Sequence, residues 1–146
     1  MKPLIYETSS VEETIAAAEQ FAKLLKAGDT VLYTGEMGAG KTHFTKGIAK
    51  AFGCTDPVTS PTFAIVNEYR CEPPIFHFDL FRIDSFDDLY ATGFFDYFDR
   101  AGVICVEWSE NIEGLADELE NVWTVDITKT GDNSRRITIQ KAGQEL

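Results

Sequence analysis

One stretch limits what this chain can fold into more than any other. Residues 35–42, Gly-Glu-Met-Gly-Ala-Gly-Lys-Thr, fit the pattern G-x-x-x-x-G-K-[ST] of a loop that binds phosphate. Each fixed residue has a physical task. Gly35, Gly38 and Gly40 let the backbone bend where a Cβ clashes, so that successive N–H groups turn inward to phosphate oxygens. Lys41 brings a cation to the β- and γ-phosphates, and the Thr42 hydroxyl is a ligand for Mg²⁺. The alternative is an ordinary glycine-rich turn, and the flanks argue against it. A short β-rich run, residues 29–34, precedes the loop. Residues 43–52 follow as a helix with Phe44, Ile48 and Phe52 on one face. In that order of strand, loop and helix, the helix N-terminus presents unpaired N–H groups to the anion.

The remaining segments build an α/β framework around this unit. Residues 4–7 read as a short edge strand. Ser9 or Ser10 caps a helix, since each is followed three residues later by Glu12 or Glu13. Val11, Ile15, Ala18, Ala22 and Leu25 then repeat at helical spacing through Lys26, and Gly28 ends the helix. Past the loop helix, residues 55–62 form a polar, proline-containing loop. Residues 63–69 and 75–81 read as strands joined by the turn 70–74, hence an antiparallel hairpin. Ser85 opens a capped acidic helix to Tyr90, and the aromatic cluster 94–98 reads as a short helix packed on the core. Residues 103–106 are continuously apolar, as in a buried parallel strand. Residues 110–120 read as a short, solvated acidic helix, and 122–128 with 136–140 as a closing hairpin. The expected fold is a P-loop NTPase: a mostly parallel central sheet with antiparallel hairpin additions, in one domain spanning 1–146.

Charge narrows the partners. Thirteen basic against twenty-four acidic residues leave a net charge of −11, which repels phosphate backbones and anionic membranes. A chain of this charge working on nucleic acid is expected to leave the nucleic acid to a partner. Cys54, Cys71 and Cys105 have no C-x-x-C spacing and are expected as free thiols in a reducing cytosol. The first residues contain no apolar signal core and no run reaches membrane-spanning length, so the expected setting is cytoplasmic, without a membrane partner.

A phosphate loop needs a second acidic group to fix the metal, normally at the end of an apolar strand beside the loop strand. Glu107 follows residues 103–106 and meets that requirement; the other reading is a strand-end carboxylate facing solvent. Strand alternation puts Ile75, His77, Asp79 and Phe81 on one face. Asp79 reads either as a group near the metal or the attacking water, or as an edge carboxylate paired with Arg82. His77 reads as a satisfied structural histidine. Ser60 and Thr62, with Thr59, lie in a loop long enough to sense the γ-phosphate. Plain turn chemistry, stiffened by Pro57 and Pro61, explains the same residues equally well. Trp108 and Trp123 suit the core; Trp108, next to Glu107, is the better candidate for a nucleotide or partner contact.

Four segments together resemble the TsaE (YjeE) family of small bacterial ATPases, which are needed to make threonylcarbamoyladenosine beside the anticodon of tRNA. They are the loop 35–42, Val58-Thr-Ser-Pro-Thr-Phe63, His77-Phe-Asp-Leu-Phe-Arg82 and Val106-Glu-Trp108. Order and spacing agree, and the resemblance runs from near residue 8 to about residue 140. It implies ATP with its phosphates on Gly38, Ala39, Gly40, Lys41, Thr42 and His43, and Mg²⁺ held by Thr42 and Glu107. It implies a role for Asp79 near the metal and for Thr62 in a switch-like loop. It also implies a complex with the TsaD and TsaB proteins, in which TsaD does the transfer chemistry, TsaE hydrolyses ATP and tRNA is met through the partners. Two departures are visible. His43 stands where the family usually has a small hydroxyl residue, and Phe81 replaces the more usual Tyr.

The reaction expected is Mg²⁺-dependent ATP hydrolysis, with Lys41, Asp79 and Glu107 as the catalytic set. No strong general base is evident and no arginine finger can be named, so slow turnover, raised or coupled by a partner, is the physical expectation. One rival is a small-molecule kinase. The arginines after the loop, Arg70, Arg82, Arg100, Arg135 and Arg136, form no cluster in a central lid. The other rival is a nucleotide-sensing module that controls partner binding without useful hydrolysis.

Overall fold

A computed structural model describes residues 2–36, 39–58 and 65–142; Gly38, Ser60 and Thr62 lie outside the described residues. Strand β1 (Leu4–Thr8) leads into helix α1 (Val11–Ala22), which Ser10 caps by accepting the Glu13 N–H at 3.1 Å. The Glu13 carboxylate in turn accepts the Ser9 N–H at 2.8 Å, close to the reciprocal box expected. The apolar periodicity continues to Leu25, but the N–H groups of Leu24 and Leu25 bond three residues back, so the regular α-helix ends at Ala22.

Strand β2 (Thr30–Thr34) and helix α2 (Lys41–Ala51) flank the phosphate-loop sequence. Strands β3 (Val66–Tyr69) and β4 (Ile75–Asp79) form the expected antiparallel hairpin. Helix α3 (Phe86–Ala91), capped by Ser85, and a 3₁₀ helix over Phe94–Asp99 precede β5 (Val103–Glu107). Strands β6 (Val122–Lys129) and β7 (Arg135–Lys141) close the chain as an antiparallel hairpin.

All seven strands form one sheet in the order β1-β7-β6-β2-β5-β4-β3. The pairs β6–β2, β2–β5 and β5–β4 are parallel, and the outer pairs are antiparallel. A parallel strand with both faces covered has to be apolar throughout. In β2, Val31 and Tyr33 face α1 and α2 in a layer with Phe21, Phe44 and Trp123, while Leu32 belongs to the opposite layer with Phe78, Phe94 and Leu115. Fully burying a large side chain of this kind contributes roughly 1.5–3 kcal/mol. The aromatic run does join the core: Phe94 meets Phe78 edge-on at 4.8 Å.

One expectation is corrected. Residues 110–120 form no solvated helix; two short 3₁₀ turns, Ser109–Asn111 and Ala116–Glu118, take their place. Gly114 at φ +83° interrupts the segment, and Ile112 and Leu115, three apart, are both buried against the second layer. Three-residue spacing of buried groups suits a 3₁₀ turn better than an α-helix.

The closest helix contact fixes the loop helix on the sheet. A Cβ at Gly47 of α2 would run into the Ala18 Cβ and the Ile15 carbonyl of α1. Alanine is the better helix former by about 1 kcal/mol, yet here overpacking is expected to outweigh that. Gly47→Ala should lower stability by about 1–3 kcal/mol, read in urea as a shifted midpoint with an unchanged slope.

Candidate functional site

The parallel strands end on one edge of the sheet, and the candidate residues collect there, as is usual for open α/β sheets. Gly35 leaves β2 at φ +128°, and a Cβ on it would strike the Ile127 carbonyl of β6. Gly40 caps α2 at φ +117°. Two glycines in left-handed backbone bracket the described part of the loop, so the chain can reverse beside the sheet without side-chain clash. Ala39 is buried.

Lys41 opens α2 and is only 5% exposed. Its Nζ has no hydrogen-bond partner among the described residues and lies 4.5 Å from the centroid of the Trp108 ring. A buried ammonium normally has an acceptor; the indole face replaces only part of that. Trp108 reaches this position through a left-handed backbone, φ +64°, which a non-glycine residue adopts at a cost of about 1–3 kcal/mol. The Phe81 ring, half exposed, meets Trp108 edge-on at 5.2 Å. Thr42 and His43 follow, both half-buried, and the His43 Nδ1 is shielded from solvent without a partner among the described residues.

Opposite Lys41 stand two carboxylates. Register pairs Asp79 at the end of β4 with Glu107 at the end of β5, and Glu107 in turn lies beside Tyr33 of β2. Glu107 is 7% exposed. It does not face solvent: its Oε2 is 2.6 Å from His77 Nε2, and His77 Nδ1 is 3.2 Å from the Tyr69 hydroxyl. His77 is thus satisfied, as expected, but its partner is the proposed metal carboxylate. Asp79 makes no ion pair with Arg82; its Oδ1 accepts the Phe81 N–H at 2.9 Å. Burial, with the Glu107 charge adding to it, raises the Asp79 carboxyl above its usual range, against the Phe81 N–H, His77 and Lys41.

Among the described residues no three His, Cys, Asp or Glu side chains cluster as a ready-made metal cage. Mg²⁺ does not need one, because it takes one or two carboxylates, phosphate oxygens and water. The orphaned Lys41 ammonium beside paired carboxylates fits a magnesium–triphosphate better than it fits an isolated cation. Sequence reasoning missed two residues. Tyr69 fixes the ring of His77. Arg135, at the start of β7, donates from Nε to the Ala39 carbonyl at 2.7 Å. Arg135 had no local signal, since Ala39 lies 96 residues away, whereas Tyr69 meets His77 across the β3–β4 hairpin, eight residues on.

Residues 8–137 match one protein family, described as Threonylcarbamoyl adenosine biosynthesis protein TsaE. Curated relatives carry the name tRNA threonylcarbamoyladenosine biosynthesis protein TsaE. The one from Bacillus subtilis is 41% identical and covers 98% of this chain and 89% of its own length. The one from Aquifex aeolicus is 40% identical over 75% and 78%, and that from Treponema pallidum 32% over 89% and 95%. The crystal structure of Bacillus subtilis YdiB aligns with a TM-score of 0.76 at 34% identity, over 97% of this chain and 87% of that one. The fold is that of the P-loop NTPases, as expected from residues 35–42.

The raised Asp79 carboxyl has a consequence for stability. Its folded pKa lies above its unfolded one, so its charge costs stability at pH values above both and nothing below both. Asp79→Asn keeps the Phe81 N–H bond and removes that charge. Melts of the nucleotide-free protein should show a higher midpoint for the variant at neutral pH, and the gain should vanish as the pH falls through the carboxylate range.

Proposed function

The chain belongs to the TsaE family, and from that premise we propose that it is a single-domain, Mg²⁺-dependent ATPase working with the TsaD and TsaB proteins in threonylcarbamoyladenosine modification of tRNA next to the anticodon. What carries the reading is Lys41: an ammonium 5% exposed, in a glycine loop at the head of a helix, with an aromatic face above it and no acceptor among the described residues. A phosphate supplies the missing charge-assisted bonds.

The residues divide the work as follows. The loop amides from Gly35 to Gly40 and the N-terminus of α2 hold the phosphates, and the His43 N–H reaches the α-phosphate. Lys41 holds charge that builds on the transferred phosphoryl group. Mg²⁺, held by Thr42 and Glu107, would neutralise charge on the β- and γ-oxygens. His77, itself held by Tyr69, fixes the direction of the Glu107 carboxylate. Asp79 orients water beside Glu107, and Ser60 and Thr62 supply hydroxyls of a switch loop. Trp108 covers Lys41 from solvent. The net charge of −11 leaves tRNA to the partner proteins. No helix among the described residues is long and apolar enough to cross a membrane; the setting proposed is cytoplasmic.

The deciding experiment is reconstitution with TsaD, TsaB, ATP and tRNA. Lys41→Ala should lower both phosphate release and modified-nucleoside yield by roughly a hundredfold; an equal yield rules the assignment out. Phosphate released without any acceptor separates hydrolysis from a small-molecule kinase. A Glu107→Ala protein that has lost hydrolysis yet still supports modification would make the chain a nucleotide switch instead.

A further inference from the structure

Arg135 lies in no motif, and the sequence gives it no task. In the fold it is the first residue of β7, paired with Thr8 of β1 on one side and Lys129 of β6 on the other. Its guanidinium nonetheless reaches the phosphate loop. Nε donates to the Ala39 carbonyl at 2.7 Å, and Nη1 donates to the carbonyls of Ser134 at 2.9 Å and Gly131 at 3.3 Å. The planar fork is therefore anchored on the β6–β7 turn before it grips the loop. It packs closely: a Cβ on Gly40 would sit 4.0 Å from the Arg135 Nε.

We propose that Arg135 is a positioning residue for phosphate binding, which holds the peptide between Ala39 and Gly40 so that the Gly40 N–H faces the nucleotide. The reason is the planar trans peptide. Its C=O and N–H point in opposite directions, so a cation that draws the Ala39 oxygen outward turns the Gly40 N–H inward. The bond is charge-assisted and short, and it polarises the same peptide, which makes that N–H a stronger donor to an anion. Gly40 needs this support more than most residues. At φ +117° it has no side chain to limit its torsions, and a glycine peptide rotates freely unless its oxygen is held. Arg135 acts from behind the loop and is no arginine finger. Its neighbour Arg136 points elsewhere, to an exposed ion pair with Glu7 at 2.7 Å. Two adjacent arginines thus carry the same charge, and one alone touches the loop.

This inference rests on the nucleotide-binding reading, and the test separates the two. ATP affinity is measured for the wild type, Arg135→Met and Arg136→Met, with Mg²⁺ and again in EDTA. Hydrogen exchange of the Gly40 amide is followed in the empty protein. Arg135→Met should weaken ATP binding about tenfold in both conditions, the loss expected for one hydrogen bond to a charged group, and should speed Gly40 exchange. Arg136→Met should match the wild type in both. Equal losses in the two variants would reduce the effect to net charge and overturn the proposal. So would Arg135→Met binding ATP as the wild type does. Should that variant fail to fold, Arg135→Lys keeps the charge and loses the fork. A several-fold loss then supports the proposal, and wild-type affinity overturns it. A wild type that binds no ATP sinks the nucleotide reading, while Gly40 exchange still decides what Arg135 does.

Discussion

The Lys41 ammonium is shut away from water with no acceptor among the described residues, and the structure around it holds it in place. The Lys41 carbonyl accepts the Thr45 hydroxyl at 3.0 Å, and that hydroxyl meets the Tyr33 hydroxyl at 2.7 Å. Tyr33 is fully buried in the central strand, where burial and the nearby Cys105 and Glu107 raise its pKa, so it stays a neutral donor. The sheet thus fixes the lysine backbone through two hydroxyls. The side chain is fixed separately, by an indole held over it on a strained residue. Two carboxylates, Asp79 and Glu107, stand at neighbouring strand ends, and Glu107 is held by His77.

Much of this was legible in the sequence because it depends on local rules. The phosphate-loop pattern needs only glycines, a lysine and a hydroxyl in order. The apolar run 103–106 announces a strand covered on both faces, and β5 is buried from Val103 to Glu107. Alternation along β4 puts His77 and Asp79 on one face, and the register of the folded sheet sets Asp79 beside Glu107. Ser10 and Ser85 cap helices for the same local reason.

What stayed illegible depends on pairing between distant strands. His77 looked like an ordinary buried histidine, because nothing near it in the chain says that Glu107 will lie 2.6 Å away. Of the two readings of Asp79, the pair with its sequence neighbour Arg82 is absent, because the backbone turns and offers the Phe81 N–H instead. The segment 110–120 was read by its charge, which concealed the two buried side chains, Ile112 and Leu115, that decide its path. Arg135 was invisible for the same reason as the His77–Glu107 pair. Its partner at Ala39 is brought near only when β7 takes its place at the far side of the sheet.

The sheet order has a temporal meaning as well. Strand β1 is made first, yet it bonds only to β7, the last strand of the described chain. The glycine loop likewise leaves the ribosome early but touches β6 at Ile127 and β7 at Arg135. A chain emerging from its N-terminus therefore has its helices α1 and α2 available long before the loop acquires its backing. The loop's backing by β6 and β7 is complete only with the final hairpin, so a chain clipped before that hairpin carries the motif without its support.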